Sequence, residues 1–149
     1  MKTITVKKII EIITPINYTK LKLPLFNSGI SAGFPSPAED FIDREIDLNK
    51  ELIKNPASTF YGRVNGDSLK DLGICHGDLM IIDRCIKPKT GKIAVCYIDG
   101  EFTVKVIEIE EKTKTIWLIP ANSKYQPIKV TNQNDFIIWG IVKNVIKNF

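Results

Sequence analysis

From Thr59 onward the chain is a succession of short apolar stretches, most of them ended by a turn signal. Candidate strands cover 60–64, 79–82, 92–98, 101–108, 115–120 and 136–146, with Gly77-Asp78, Lys89-Thr90-Gly91 and Asp99-Gly100 between them. Asp99-Gly100, between Ile98 and Phe102, is the clearest signal, because an Asp-Gly pair suits the tight turn of a two-residue hairpin. Its flanking strands must then pair antiparallel. Six such stretches with short connections predict a mainly β, compact, twisted antiparallel fold. One or two short helices precede it. Ser36-Pro37-Ala38-Glu39 has the serine cap, first-turn proline and returning glutamate of a helix start. Residues 47–54 form a second short helical stretch, stopped by Asn55-Pro56.

Before these lies an N-terminal arm, residues 1–33. Val6, Ile9, Ile10 and Ile13 share a helical face, but their β-branched content suits a strand equally well. Pro24, Gly29 and Gly33 are expected to interrupt regular structure after it. The arm holds Lys2, Lys7, Lys8, Lys20 and Lys22 against Glu11, an excess of four positive charges. That equals the formal net charge of the whole chain, +4, so the remainder balances at sixteen residues of each sign. A neutral body argues against a nucleic-acid-binding core, which needs clustered Lys and Arg to neutralise phosphates.

The 149 residues fit one domain with a sizeable core plus an appendage. Cys75, Cys85 and Cys96 have no CxxC spacing and an odd count, as expected of structural thiols in a reducing cytoplasm. His76 is the only histidine, too few for a His-based zinc site, so no metal and no cofactor are expected. Ile30-Ser31-Ala32-Gly33 imitates a signal-peptidase site, but no uninterrupted apolar segment precedes it. No run approaches the roughly 20 apolar residues of a membrane span. The expected location is cytoplasmic.

The residues that can carry chemistry are Ser68 and Lys105. Ser68 follows Gly66 and Asp67, two residues that tolerate a sharp turn, which can expose the hydroxyl and aim backbone N–H groups at an oxyanion. A serine needs a base to become a nucleophile, and no histidine is suitably placed. Lys105 lies in a strand where Phe102, Val104 and Val106 point one way and Thr103, Lys105, Ile107 and Ile109 the other. An unperturbed lysine needs roughly 4.6 kcal/mol to be neutral at pH 7. Burial among Ile107 and Ile109 can remove most of that barrier. Each residue alone has an ordinary explanation: Gly-Asp-Ser is a common turn, and a lysine can snorkel to solvent. Together they can form a Ser-Lys hydrolytic pair, and the small residues of Ala32-Gly33 supply a bond that such a pair could cut. Trp117 and Trp139 read as core. Asn122, Tyr125 and Pro127 read as a plain turn, the alternative being a loop that supports the site, and Glu108-Ile109-Glu110-Glu111-Lys112 reads as a solvated strand end and turn.

These motifs also carry a resemblance. Gly33-Phe34-Pro35-Ser36-Pro37-Ala38, Ile46-Asp47-Leu48-Asn49, Gly66-Asp67-Ser68, Gly77-Asp78-Leu79, Asp99-Gly100-Glu101-Phe102-Thr103-Val104-Lys105 and Leu118-Ile119-Pro120-Ala121-Asn122-Ser123 resemble, in order, the LexA/UmuD family of self-cleaving Ser-Lys peptidases. The likeness runs from about Leu23 to the C-terminus. It implies a β-rich catalytic domain of residues 34–149 with Ser68 as nucleophile and Lys105 as general base. It implies that the arm, residues 1–33, is removed by a cut at Ala32-Gly33 that releases residues 1–32 and leaves Gly33 as the new N-terminus. A homodimer, activation by RecA–single-stranded DNA filaments, and a UmuC-type polymerase subunit as partner in SOS mutagenesis belong to the same implication. UmuD-type members carry Cys-Gly at the bond, and Ala-Gly is the LexA-type pair. The arm before Leu23 is longer than the family's and matches it poorly. The alternative is a LexA-like or phage-type repressor. It would need a DNA-recognition helix among the 32 residues ahead of Gly33, where no room for one is expected, so no direct sequence-specific DNA binding is expected.

Overall fold

In the computed structural model, residues 12–13, 19–26, 29–35 and 42–149 are described. The expected helix start at Ser36, and Val6, Ile9 and Ile10 of the arm, lie outside them. The chain divides into two units, Ile16–Lys54 and the remainder, Met1–Pro15 with Asn55–Phe149.

The smaller unit holds β2 (Leu23–Phe26), β3 (Ile42–Ile46) and α1 (Leu48–Leu52), after β1 (Ile12–Ile13) of the other unit. Strands β2 and β3 pair antiparallel from Leu23 opposite Ile46 to Phe26 opposite Ile42. This corrects the expectation that Pro24 interrupts regular structure. A two-stranded ribbon has only edge strands, and there a proline that lacks an N–H is tolerated. Asp47 caps α1, accepting the Asn49 N–H at 3.0 Å.

The larger unit is one antiparallel sheet of eight strands. Its remaining members are β4 (Thr59–Arg63), β5 (Leu79–Asp83), β6 (Ile93–Ile98), β7 (Glu101–Glu110), β8 (Thr115–Ile119), β9 (Ile128–Val130) and β10 (Phe136–Ile146). The order across the sheet is β1-β4-β5-β10-β6-β7-β8-β9. The mainly β expectation is borne out, and all six expected strands form with end shifts of one or two residues. The expected hairpin forms too: Asp99 (φ 49°) and Gly100 (φ 90°) take the left-handed angles of a primed turn between β6 and β7. Asp99 is held by the loop before β10, accepting the Asn134 side-chain amide and the Asp135 N–H.

β10, last in the chain, lies mid-sheet. Its first half pairs with β6 and its second with β5, and a register shift interrupts each ladder. Such bulges bend the strand and increase its twist, which lets it serve two partners. Alternate residues of β7 enter two cores. Phe102 and Val104 join Val64, Leu69, Met80, Ile82 and Val95, whereas Ile107 joins Ala94, Cys96, Leu118 and Ile141. The two tryptophans are half-buried rather than core. Arg84 stacks on Trp139 at 4.8 Å and Lys129 approaches Trp117 at 5.7 Å, so a cation shares the face of each ring.

The surroundings of Gly140 leave no room for a side chain. A Cβ there would lie 2.6 Å from Ile82 Cγ2, and Ile82 is itself fully buried. Gly140→Ala is therefore expected to cost about 1–3 kcal/mol by overpacking, seen as a lower urea midpoint without a changed slope.

Candidate active site

The site lies beside one edge of β7. β8 pairs with β7 only from Val106 to Glu110, so the edge of Glu101–Lys105 facing away from β6 has no strand partner among the described residues. The loop that leaves β4 comes to this edge. Its conformation begins at Val64, whose N–H donates to Asp78 O and whose carbonyl accepts from the Gly77 N–H. The turn before β5 is thus clasped to the base of the loop. The Asp78 carboxylate secures it further, accepting the Cys75 N–H at 2.9 Å and Lys147 Nζ at 2.7 Å. Gly66 then takes φ 102°, an angle that side chains with a Cβ rarely adopt. Leu69, 1% exposed, anchors the loop's far end in the core.

Between these fixed points stand Asp67 and Ser68, tied to the loop after β8. Ala121 N–H donates to Ser68 O at 2.7 Å, Asn122 Nδ2 to Asp67 O at 2.9 Å, and the Tyr125 hydroxyl to Asp67 Oδ1 at 2.7 Å. The Tyr125 hydrogen bond holds the Asp67 carboxyl below its ordinary value, and Lys124 adds to this. Asn122 and Tyr125, weighed in the sequence as little more than a turn, are the struts of the Ser68 loop. A buried asparagine, here 4% exposed, is the kind of residue that must find such partners.

Lys105 is 8% exposed and does not snorkel. Its Nζ lies 2.9 Å from Ser68 Oγ, 2.8 Å from Thr103 Oγ1 and 3.3 Å from Val104 O. Burial disfavours its charge and pushes its pKa below the ordinary lysine value. Among the described residues, the neighbour whose ionised form would oppose this is Cys96, which burial pushes up to about 12. At neutral pH that thiol is uncharged, so it offers the lysine no counter-ion. Among the described residues the ammonium makes no ion pair.

Three acceptors around one nitrogen suit both protonation states. A charged ammonium donates one hydrogen to each. A neutral amine keeps two donors for Thr103 Oγ1 and Val104 O and turns its lone pair to Ser68 Oγ. Ser68 and Lys105 line an open cleft of about 160 Å³ with Asn65, Gly66, Asp67, Thr103, Val104 and Tyr125. Thr103 had no place in the sequence reading of the site. Its signal was available, since strand alternation puts it on the same face as Lys105.

Ala32 and Gly33 belong to the smaller unit. Both are exposed, in a bend where Ser31 Oγ donates to Phe34 O at 2.5 Å. Among the described residues no group of three His, Cys, Asp or Glu side chains converges to hold a metal ion. No helix there is long and apolar enough to cross a membrane.

A serine and a buried lysine within hydrogen-bond distance in an open cleft suit hydrolytic chemistry, and comparison with known proteins names the family. The Peptidase S24-like family matches residues 24–143, most of the sequence, and the chain belongs to that family. It is similar to protein SamA of Salmonella typhimurium, 46% identical over 102 residues that cover 68% of this chain and 71% of SamA. Protein ImpA of Escherichia coli is 39% identical over 123 residues, 83% of this chain and 82% of ImpA. Protein MucA of Escherichia coli is 34% identical over 121 residues, covering 80% and 81%. The resemblance to the LexA/UmuD family read from the motifs is thereby borne out.

Proposed function

We propose that the chain is a self-processing peptidase that cuts its own Ala32-Gly33 bond, with Ser68 as nucleophile and Lys105 as general base. The observation that carries this reading is the 2.9 Å approach to Ser68 Oγ of Nζ of Lys105, a buried lysine with no counter-ion among the described residues. In the neutral state the amine takes the Ser68 proton as Oγ attacks the Ala32 carbonyl carbon. The ammonium so formed gives that proton to the Gly33 nitrogen, which leaves as the new N-terminus. Ala32 remains as an ester on Ser68. Lys105 then takes a proton from water as the water oxygen attacks the ester carbon, and returns it to Ser68 Oγ as that oxygen leaves and the Ala32 carboxylate is released. The Ser68 N–H, on the same turn, is the natural donor to the oxyanion.

The free edge of Glu101–Lys105 offers the scissile segment main-chain partners, so it docks there as an added strand. The bend around Ala32-Gly33 must open for this, which makes docking a conformational step separate from the chemistry. A RecA–single-stranded DNA filament acts by favouring that docked state. The processed product, residues 33–149, works as a dimeric subunit alongside a UmuC-type error-prone polymerase in the cytoplasm.

A cleft lined by Val104, Thr103 and Gly66 accepts small residues beside the reacting carbonyl. Gly33→Glu is accordingly expected to block the cut while the domain keeps its unfolding midpoint. Intact mass after incubation with RecA, ATP and single-stranded DNA measures this, and a main cut at any other bond refutes the placement.

A further inference from the structure

Asn65 immediately precedes Gly66, which opens the proposed nucleophile turn, and the Asn65 side chain takes no part in the proposed cleavage steps. Asparagine is among the chemically labile residues, because its side-chain amide carbon can be attacked by the next residue's backbone nitrogen. Glycine in that next position hinders the attack least. Here Gly66 is exposed, and nothing lies within 4 Å of where its Cβ would stand. Its N–H donates to His76 Nδ1 at 3.3 Å. An imidazole nitrogen that accepts this bond is an acceptor in its neutral form, and so a base already in contact with the attacking group. His76 is itself held in place. It lies in the turn closed by Gly77 N–H on Val64 O and by Cys75 N–H on the Asp78 carboxylate.

We propose that Asn65 is a site of self-deamidation, with His76 as its general base. The Gly66 nitrogen attacks Asn65 Cγ and forms the new N–Cγ bond, and its proton passes to His76 Nδ1. The histidine returns that proton to the side-chain nitrogen as the Cγ–Nδ2 bond breaks, and ammonia departs. The resulting five-membered imide is opened by solvent water at either carbonyl, leaving aspartate or isoaspartate at 65. Water is the only co-reactant, and nothing is oxidised or reduced.

The location gives the change a consequence, which rests on the cleavage reading above. Asn65 lines the same cleft as Ser68 and Lys105. A carboxylate in that cleft favours the charged form of Lys105, which is inactive as a base. Isoaspartate also lengthens the backbone by one atom directly before the Ser68 turn. An aged, uncut chain would thus lose its capacity to process itself.

The test uses the full chain carrying Ser68→Ala, which stays uncut, so a failure of the cleavage reading does not affect the outcome. After incubation at mildly alkaline pH, trypsin releases residues 64–70. Mass spectrometry detects conversion of amide to acid, and isoaspartyl methyltransferase labelling detects isoaspartate. The folded chain is expected to convert this peptide about tenfold faster than the same chain with His76→Phe, or than the chain unfolded in urea, a modest factor for one positioned base. His76→Gln, which keeps polar reach without the ring base, should match the phenylalanine variant and carries the comparison if that variant fails to fold. An unmodified peptide in the folded chain, or equal rates with and without His76, overturns the proposal. In the chain with Ser68 intact, Asn65→Asp should slow self-cleavage and move its pH–rate profile to higher pH. An unchanged profile would remove the link to cleavage.

Discussion

Ser68→Ala is expected to remain full length under conditions that process the wild type to a product beginning at Gly33. Loss of the hydroxyl removes the attacking atom, and Thr103 Oγ1, the other hydroxyl at Lys105 Nζ, already accepts from that nitrogen and sits on the strand rather than on the Ser68 turn. The effect on rate should therefore be a fall below detection rather than a fractional loss. The fold should be unaffected. The loop is held by Leu69, by the Ala121 N–H on Ser68 O and by the Asn122 and Tyr125 bonds to Asp67, none of which uses the Ser68 side chain. Intact mass and the urea midpoint separate the two. Substantial processing of the purified variant would dismiss Ser68 as the nucleophile.

The second large effect concerns Lys105. Only the neutral amine has a lone pair for the Ser68 proton, and below the lysine pKa that fraction rises about tenfold per pH unit. Spontaneous cleavage without an activator should rise with that slope and level off once Lys105 is mostly neutral. Because burial pushes the pKa down, the plateau should begin below the ordinary lysine range. Docking of the scissile segment excludes more water and moves it further the same way. Lys105→Ala should be inactive throughout, and Lys105→Arg as well, since a guanidinium stays protonated at every accessible pH. The pH–rate profiles of the three proteins decide the matter. A flat wild-type profile, or an active arginine variant, would exclude Lys105 as the base.

The two residues were legible in the sequence for different reasons. Ser68 is marked by a local signal, because Gly66 and Asp67 belong in a turn whatever surrounds them. Lys105 is marked by period-two alternation, which sets it on a face with Ile107 and Ile109 and so argues for burial. That the two meet, 37 residues apart, is a different kind of fact. Nothing local encodes it: the meeting depends on β8 reaching β7 only at Val106 and so leaving the edge open to the Ser68 loop. The struts were hidden for the same cause. Asn122 and Tyr125 look like any polar loop until the strand before them delivers that loop to Asp67. His76 likewise gains meaning only when the turn it occupies folds back on Val64.

By itself, then, the sequence determined what is short-range. It set the β character of the larger unit and the Asp99-Gly100 turn, and it determined the faces of β7 and the presence of a short helix just after Asp47. Hydrophobic periodicity and turn chemistry act over a few residues, and those signals survive without context. The tertiary structure decided which strands are neighbours. It alone placed β10 mid-sheet between β5 and β6, and it made strands of Leu23–Phe26 and Ile128–Val130, segments too short or too proline-bearing to declare themselves. It also decided the protonation balance of Lys105. Its pKa falls because burial and the lack of a counter-ion among the described residues coincide, and both are properties of packing at long range rather than of the residues beside it.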